Sequence, residues 1–158
     1  MMLYRKRFGE LTAEELYRIL KLRVSVFVVE QSCPYMELDD LDQEAVHVWL
    51  EDEDGIEAYL RVMGRGAESE YVSIGRVIAA KRRRGLGSRI LAEGIRAAKD
   101  FFGEERLYLE AQTYARAFYE KQGFRRISEE CILDGIPHIR MLREAGCPEA
   151  HAEEGAGL

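Results

Sequence analysis

The sequence predicts one α/β domain, with helices flanking a mixed, mostly antiparallel sheet. Three observations predict it. Runs rich in β-formers recur along the chain. Two long segments carry apolar residues at helical spacing. Glycine turn pairs, Asp54-Gly55 and Asp134-Gly135, close hairpins between strand runs. The 158 residues suit one domain with one core.

Leu3 to Phe8 reads as a first strand. Thr12-Ala13-Glu14-Glu15 has the capping-box form, with Leu11 and Leu16 placed to staple the helix start. Leu16, Ile19, Leu20, Val26 and Phe27 continue at helical spacing, and the helix is expected to fade near Val28 or Glu30, before Pro34. Residues 31 to 44 are polar and acidic, a loop or short irregular helix. Val46 to Leu50 and Ile56 to Met63 pair across the turn at 52 to 55. His47 and Trp49 alternate along the first of these strands, which puts one face in the core. Tyr71 to Ala79 is another strand; Gly75 inside it marks a bulge or a close backbone approach.

A loop over residues 80 to 87 leads into a second helix. Its buried stripe is Leu86, Ile90, Leu91, Ile95, Ala98 and Phe102, and Gly103 is its stop. Leu107 to Ala111 is a short strand. Ala115 to Gln122 is a short helix ended by Gly123. Two last strands, Phe124 to Ile132 and Ile136 to Leu142, flank Asp134-Gly135. The domain is expected over residues 1 to 145. The tail from Gly146 to Leu158 is Ala/Glu/Gly-rich and expected to be disordered.

Composition narrows the function classes. Hydrophobic residues make up 47% and no apolar run approaches a membrane span. The first residues lack the apolar core of a signal peptide, so a cytoplasmic protein is expected. Three scattered cysteines (Cys33, Cys131, Cys147) and three scattered histidines (His47, His138, His151) suggest neither a disulfide framework nor a metal site. Cys33 and Cys131 read as buried or incidental. A net charge of -6 argues against nucleic-acid binding.

Against that acidic background, Lys81 to Arg84 are four cations in a row. A charge run alone reads as a solvated turn. Here it stands between a strand and a helix start, beside Gly85 and Gly87. The first amides of a helix lack intrahelical partners and the helix dipole adds positive charge, so the arrangement suits an anion. A phosphate loop of the GxxxxGK[ST] kind is excluded, because Gly87 is followed by Ser88-Arg89. A dinucleotide fingerprint is disfavoured, because Ile90 stands at its third glycine position. Coenzyme A is a third ligand class that could use this arrangement.

Arg82-x-x-Gly85-x-Gly87 resembles the Q/R-x-x-G-x-G/A motif of the GNAT acetyltransferases. Ala117-Phe118-Tyr119-Glu120-Lys121-Gln122-Gly123-Phe124 is similar to their second hallmark, in the family's order and spacing. Val26 to Gln31, Cys33-Pro34-Tyr35, Ile74 to Val77, Ala111-Gln112 and Asp134 to Ile139 look like the ElaA-type branch. The likeness covers roughly residues 3 to 143. One departure is a shorter segment between Val77 and Gly85 than in typical relatives.

The resemblance implies a GNAT-like fold and an acetyl-CoA-dependent N-acetyltransferase, with acetyl-CoA as cosubstrate and no metal. It implies that the strands at 71 to 79 and 107 to 111 splay apart around CoA. Val77, Ile78 and Ala79 would meet pantetheine through their backbone. Arg82, Arg83, Arg84, Gly85, Leu86, Gly87 and Ser88 would hold the pyrophosphate, and Gln112 is a further CoA contact. Tyr119 stands where the family commonly places the proton donor to the leaving thiolate; its alternative is packing beside Phe118. The base that deprotonates the amine is Glu30, His138 or a water chain. Asp39, Asp40 and Asp42 are either a solvated acidic loop or an attraction for a cationic amine. The expected partner is an amine-bearing small molecule or peptide, with no nucleic acid or membrane; a homodimer is left open. A non-catalytic acyl-CoA sensor on the same fold is the competing expectation.

Overall fold

The computed structural model describes residues 1–80 and 85–148. Lys81, Arg82, Arg83 and Arg84, and the tail beyond Pro148, lie outside the described residues. In chain order the elements are β1 (Met2–Arg7), α1 (Ala13–Val24), β2 (Val46–Asp52), β3 (Gly55–Met63) and β4 (Val72–Ala79). These are followed by α2 (Leu86–Phe102), β5 (Leu107–Gln112), α3 (Arg116–Lys121), β6 (Phe124–Arg126), β7 (Cys131–Leu133) and β8 (Ile136–Arg143). They form one eight-stranded sheet in the order β1-β2-β3-β4-β5-β8-β6, with β7 also on β8. Every neighbouring pair is antiparallel except β4 and β5.

Local chemistry explains the helices. The Thr12 hydroxyl accepts from the Glu15 amide, and the Glu15 carboxylate accepts from the Thr12 amide. Two otherwise orphaned donors are thereby satisfied. After Val24 the helix widens into a π-type turn, Ser25–Glu30, so it ends where the periodicity predicts. α2 starts after Gly85 at φ 79° and stops at Gly103 at φ 69°, both left-handed conformations that glycine adopts without steric cost. Gly94 lets α2 ride close on the sheet: a Cβ there would stand 2.7 Å from Leu60 Cδ2.

The sheet has two covered faces. Under α2 lies an apolar core of Val46, Val48, Leu60, Val62, Ile74, Ile90, Leu91 and Leu109, continued by Phe118 and Phe124. Under α1 lie Ile19, Trp49, Tyr59 and Ile78. β2 is therefore buried on both faces, where its alternation predicts one. Val46, Val48 and Leu50 turn to α2; His47 and Trp49 turn to α1 and are 0% and 1% exposed.

A second difference concerns residues 124 to 132, expected as one strand. The chain pairs β8 at both ends but breaks between Arg126 and Cys131. Five steps on this side oppose three on β8, from Met141 to His138, so the excess residues bulge out. Ser128 stitches the break: its hydroxyl accepts from the Arg140 amide, while the Arg140 carbonyl accepts from the Ile127 amide.

At the start of the expected tail, the Arg143 guanidinium donates to the carbonyls of Cys147 and Pro148. This anchors the placed part of that segment.

Candidate active site

The site is made by a parting of strands. β4 and β5 pair only at Val72–Leu107 and Ser73–Tyr108. Beyond that point they diverge, and their facing edges leave backbone groups without ladder partners. A cavity of about 540 Å³ occupies the gap. β4 also carries a bulge: Tyr59 pairs Ile78 but Arg61 pairs Gly75, so one extra residue is accommodated between them. Arg76 adopts φ 55° there, a left-handed conformation uncommon for a long side chain. The glycine expected to mark a bulge thus directly precedes one.

Val77, Ile78, Ala79, Gln112, Tyr119, Glu30 and His138 all line this cavity. Sequence-distant candidates from the π-type turn, β4, β5, α3 and β8 meet around one gap. Gly85, Leu86, Gly87 and Ser88 form the start of α2. The first helical bond there runs from the Arg89 amide to the Gly85 carbonyl, at 3.0 Å. The preceding amides of Leu86, Gly87 and Ser88 have no intrahelical acceptor, which suits an anion. The arginine part of the expected cradle lies outside the described residues.

Tyr119 is 6% exposed, set edge-on against Phe118 and Phe124 with ring centroids 5.0 and 6.1 Å away. It both packs and faces the cleft. Burial, with a smaller contribution from Tyr114, pushes its phenol well above the ordinary tyrosine range, so the group stays protonated. His138 faces Gln112 across the β5–β8 ladder. Its Nδ1 lies 2.7 Å from the Ile136 carbonyl oxygen. A carbonyl only accepts, so Nδ1 carries a proton and, in the neutral ring, Nε2 is the basic nitrogen. Glu30 is exposed at the end of the π-type turn. Next to it, the Gln31 carboxamide oxygen accepts from Gln112 Nε2 at 3.2 Å. Cys33 is buried, its thiol 3.0 Å from the Asp134 carbonyl.

The acidic stretch is not a freely solvated loop. Arg23, 0% exposed, donates to Glu37 at 2.7 and 3.2 Å and to Asp42 at 2.6 Å. Arg61, 1% exposed, donates to Asp42 and Asp39. Arg76 donates to the Glu37 carboxylate at 2.8 Å and to its carbonyl at 2.9 Å. The Arg76 guanidinium also lies 6.0 Å from the Phe27 ring centroid and 5.8 Å from that of Tyr35. Three guanidiniums and three carboxylates thus bind the 31–44 segment to β3 and the β4 bulge. Asp40 takes a positive φ of 64°. His47 extends the network. Its Nε2 donates to the Asp42 carbonyl at 3.0 Å, so Nδ1 accepts from Tyr59 Oη at 2.8 Å. Burial holds this imidazole below the usual histidine range.

Sequence reasoning gave no site role to Arg76, Tyr35, Glu68 or Glu110, all of which line the cavity. Glu110 had a signal: Tyr108, Glu110 and Gln112 alternate with Leu107, Leu109 and Ala111, which marks a polar face. Glu68 lies in an irregular loop and had none. Asp52, Asp54 and Glu57 gather at the β2–β3 turn with ligand-capable oxygens within 4.8 Å of one another, and each has an interaction partner. Among the described residues no helix is long and apolar enough to cross a membrane.

Residues 12–145 match the acetyltransferase (GNAT) domain family. The chain belongs to that family. A UPF0039 protein of Mycobacterium tuberculosis is 46% identical over 140 residues, covering 85% of this chain and 87% of that protein. Protein ElaA of Escherichia coli is 38% identical over 142 residues, covering 86% and 92%. Among solved structures, an acyl-CoA N-acyltransferase from Pseudomonas aeruginosa superposes with a TM-score of 0.84 at 37% identity, covering 90% of this chain and 99% of that one. The acyl-homoserine lactone synthase BjaI, solved with SAM and isopentyl-CoA, shares the fold alone, with a TM-score of 0.72 at 13% identity. This GNAT chain is thus an ElaA homologue with the architecture of an acyl-CoA N-acyltransferase.

Proposed function

We propose that this GNAT-family chain moves an acetyl group from acetyl-CoA to a primary amine by direct attack in a ternary complex. The observation that carries this reading is the parting of β4 from β5, with Tyr119 on the wall of the resulting cleft. The unpaired edge of β4 at Val77, Ile78 and Ala79 suits the amide groups of pantetheine. The open amides of Leu86, Gly87 and Ser88, with Gly85 and the arginines Arg82, Arg83 and Arg84, suit the pyrophosphate. Gln112 stands at the far end of β5 as a further polar contact. An edge amide of β4 near the bulge serves the oxyanion formed on attack.

The amine must lose a proton before it attacks, since an alkylammonium has a pKa near about 10.4. His138 is the base this geometry favours, because its Nδ1 bond leaves the basic Nε2 as the nitrogen able to accept. Glu30 is the alternative at the cleft rim. Tyr119 donates to the departing sulfur. Its raised pKa keeps the phenol protonated until then. The same desolvation raises the basicity of a thiolate formed beside it, which favours its capture of a proton.

Thermal shifts with acetyl-CoA, ATP and NAD test the ligand class: only CoA compounds should stabilise the protein. Release of free thiol with an amine panel tests turnover. Binding without turnover would favour the sensor instead. Tyr119→Phe should lower kcat by about a hundredfold or more while leaving acetyl-CoA affinity within about twofold. An unchanged kcat removes its role as acid. His138→Gln and Glu30→Gln, compared by pH–rate profiles, identify the base as the residue whose loss abolishes the acidic limb.

A further inference from the structure

The charges around the cleft do not balance evenly. Arg23, Arg61 and Arg76 are matched by Glu37, Asp39 and Asp42 in the network under the 31–44 segment. Glu30, Asp134, Glu68 and Glu110 line the same cleft and have no ion pair among the described residues; Glu68 and Glu110 are the two on the side where β4 and β5 part. Glu68 comes from the loop before β4, and Glu110 from the edge of β5 that β4 leaves bare. Glu110 accepts a 3.0 Å hydrogen bond from Tyr108 Oη, a neutral donor.

Gly75 opens the way to Glu68. A Cβ at Gly75 would lie 3.9 Å from Glu68 Oε2, 3.9 Å from Arg61 Nε and 3.3 Å from Met63 Cε. That Nε is a buried donor with no partner, on a residue 1% exposed. Gly75 lines the cleft, so its missing side chain leaves room beside a carboxylate and an unsatisfied donor. Glu68 is exposed on its loop, but desolvation of its carboxylate by the surrounding protein, and then the charge of Glu110, hold it above the usual carboxylate range. Two like charges facing one gap, with Arg61 and Arg76 already in ion pairs with Glu37, Asp39 and Asp42 and with Arg140, opposite Glu110 on β8, in no ion pair with it, favour a ligand that brings a positive charge.

We propose that Glu68 and Glu110 receive the acceptor as an alkylammonium bearing no carboxylate beside its nitrogen. This rests on the acyl-transfer reading of the same cleft and names its substrate class. The pair neutralises the arriving cation and holds it at the gap between β4 and β5, where a base removes the proton. An α-amino acid would bring its carboxylate against the pair and be rejected by repulsion. The amide of the same amino acid lacks that charge and is accepted.

The test separates acceptor binding from acyl transfer. Pentylamine, pentanol and pentanoate are titrated into the protein and followed by amide NMR at Gly75 and Glu110. Pentylammonium should bind at least about tenfold more tightly than the other two. Glu68→Gln and Glu110→Gln should each remove about tenfold of that preference, while acetyl-CoA binding by calorimetry stays unchanged. With acetyl-CoA present, alaninamide should be acetylated at least about tenfold faster than alanine. Equal binding of the three pentyl compounds, unaltered preference in both variants, or preference for alanine would overturn the proposal. Loss of acetyl-CoA binding by the wild-type protein would instead overturn the acyl-transfer reading, and the pentylamine titration decides the carboxylate pair independently of it.

Discussion

The two faces of the sheet are covered by different physics. Under α2 the contacts are apolar: Leu60, Ile74, Ile90, Leu91 and Leu109 are at most 2% exposed, and small residues bring the helix down onto β3. Under α1 the centre is ionic: Arg23 and Arg61 lie buried against Glu37, Asp39 and Asp42, with Tyr59 and His47 closing the hydrogen bonds. The apolar face gains from non-directional burial and tolerates shifts that preserve volume. The ionic face depends on every partner being present, because removing one leaves its two neighbours each short of a buried counter-charge. The first holds the domain together; the second fixes the 31–44 segment and the β4 bulge against the cleft.

The sharpest way to break this contrast is Arg23→Ala. It leaves buried Glu37 with Arg76 alone and buried Asp42 with Arg61 alone, and should cost about 3–5 kcal/mol of stability by urea denaturation. A loss below about 1 kcal/mol would mean that water replaces the guanidinium at little cost. On the other face, Gly94→Ala sets a methyl against Leu60 Cδ1 and Cδ2, at 2.9 and 2.7 Å before relaxation. Overpacking there should cost about 1–3 kcal/mol, less whatever helix propensity returns.

Acid probes the ionic face alone. Burial by itself raises the Asp39 carboxyl, but the hydrogen bond and charge of Arg61, then Arg76, outweigh it and hold it at about 2 against an ordinary 3.8. The unfolded chain therefore binds this proton first. The stabilisation is present above the unfolded value and is lost as pH falls through about 2. Between pH values of about 5 and 2 the protein should lose about 1–2 kcal/mol through this group. Asp39→Asn should flatten that part of the stability–pH curve; an identical curve would show that Asp39 does not carry it. The smallest effect belongs to a local device. Thr12→Ala removes the acceptor for the Glu15 amide and should cost about 1 kcal/mol by thermal unfolding.

Legibility followed the same divide. The apolar face was readable because burial imposes a period: the stripe from Leu86 to Phe102 lies on α2, and Gly103 stops it. The hallmark segments were readable as well, since Gly85, Gly87 and Phe118-Tyr119 keep a spacing tied to their helices. The ionic face left no such period. His47 looked like one member of an alternating strand, and Asp39 and Asp42 looked like a solvated loop, because their arginine partners stand on α1 and β3. The break at Ser128 was equally hidden, for it depends on a side-chain bond to the Arg140 amide across the ladder.

By itself the sequence determined the element order, the caps, the α2 stripe and the resemblance to a CoA-using family. These depend on residues within a few turns of one another, where propensity and spacing act directly. The tertiary structure alone decided that β4 parts from β5 after Ser73 and Tyr108, that Gly75 opens toward Glu68, and that Glu110 faces the gap in no ion pair among the described residues. Electrostatic pairing acts through space, and the groups that balance a charge here are drawn from positions tens of residues away.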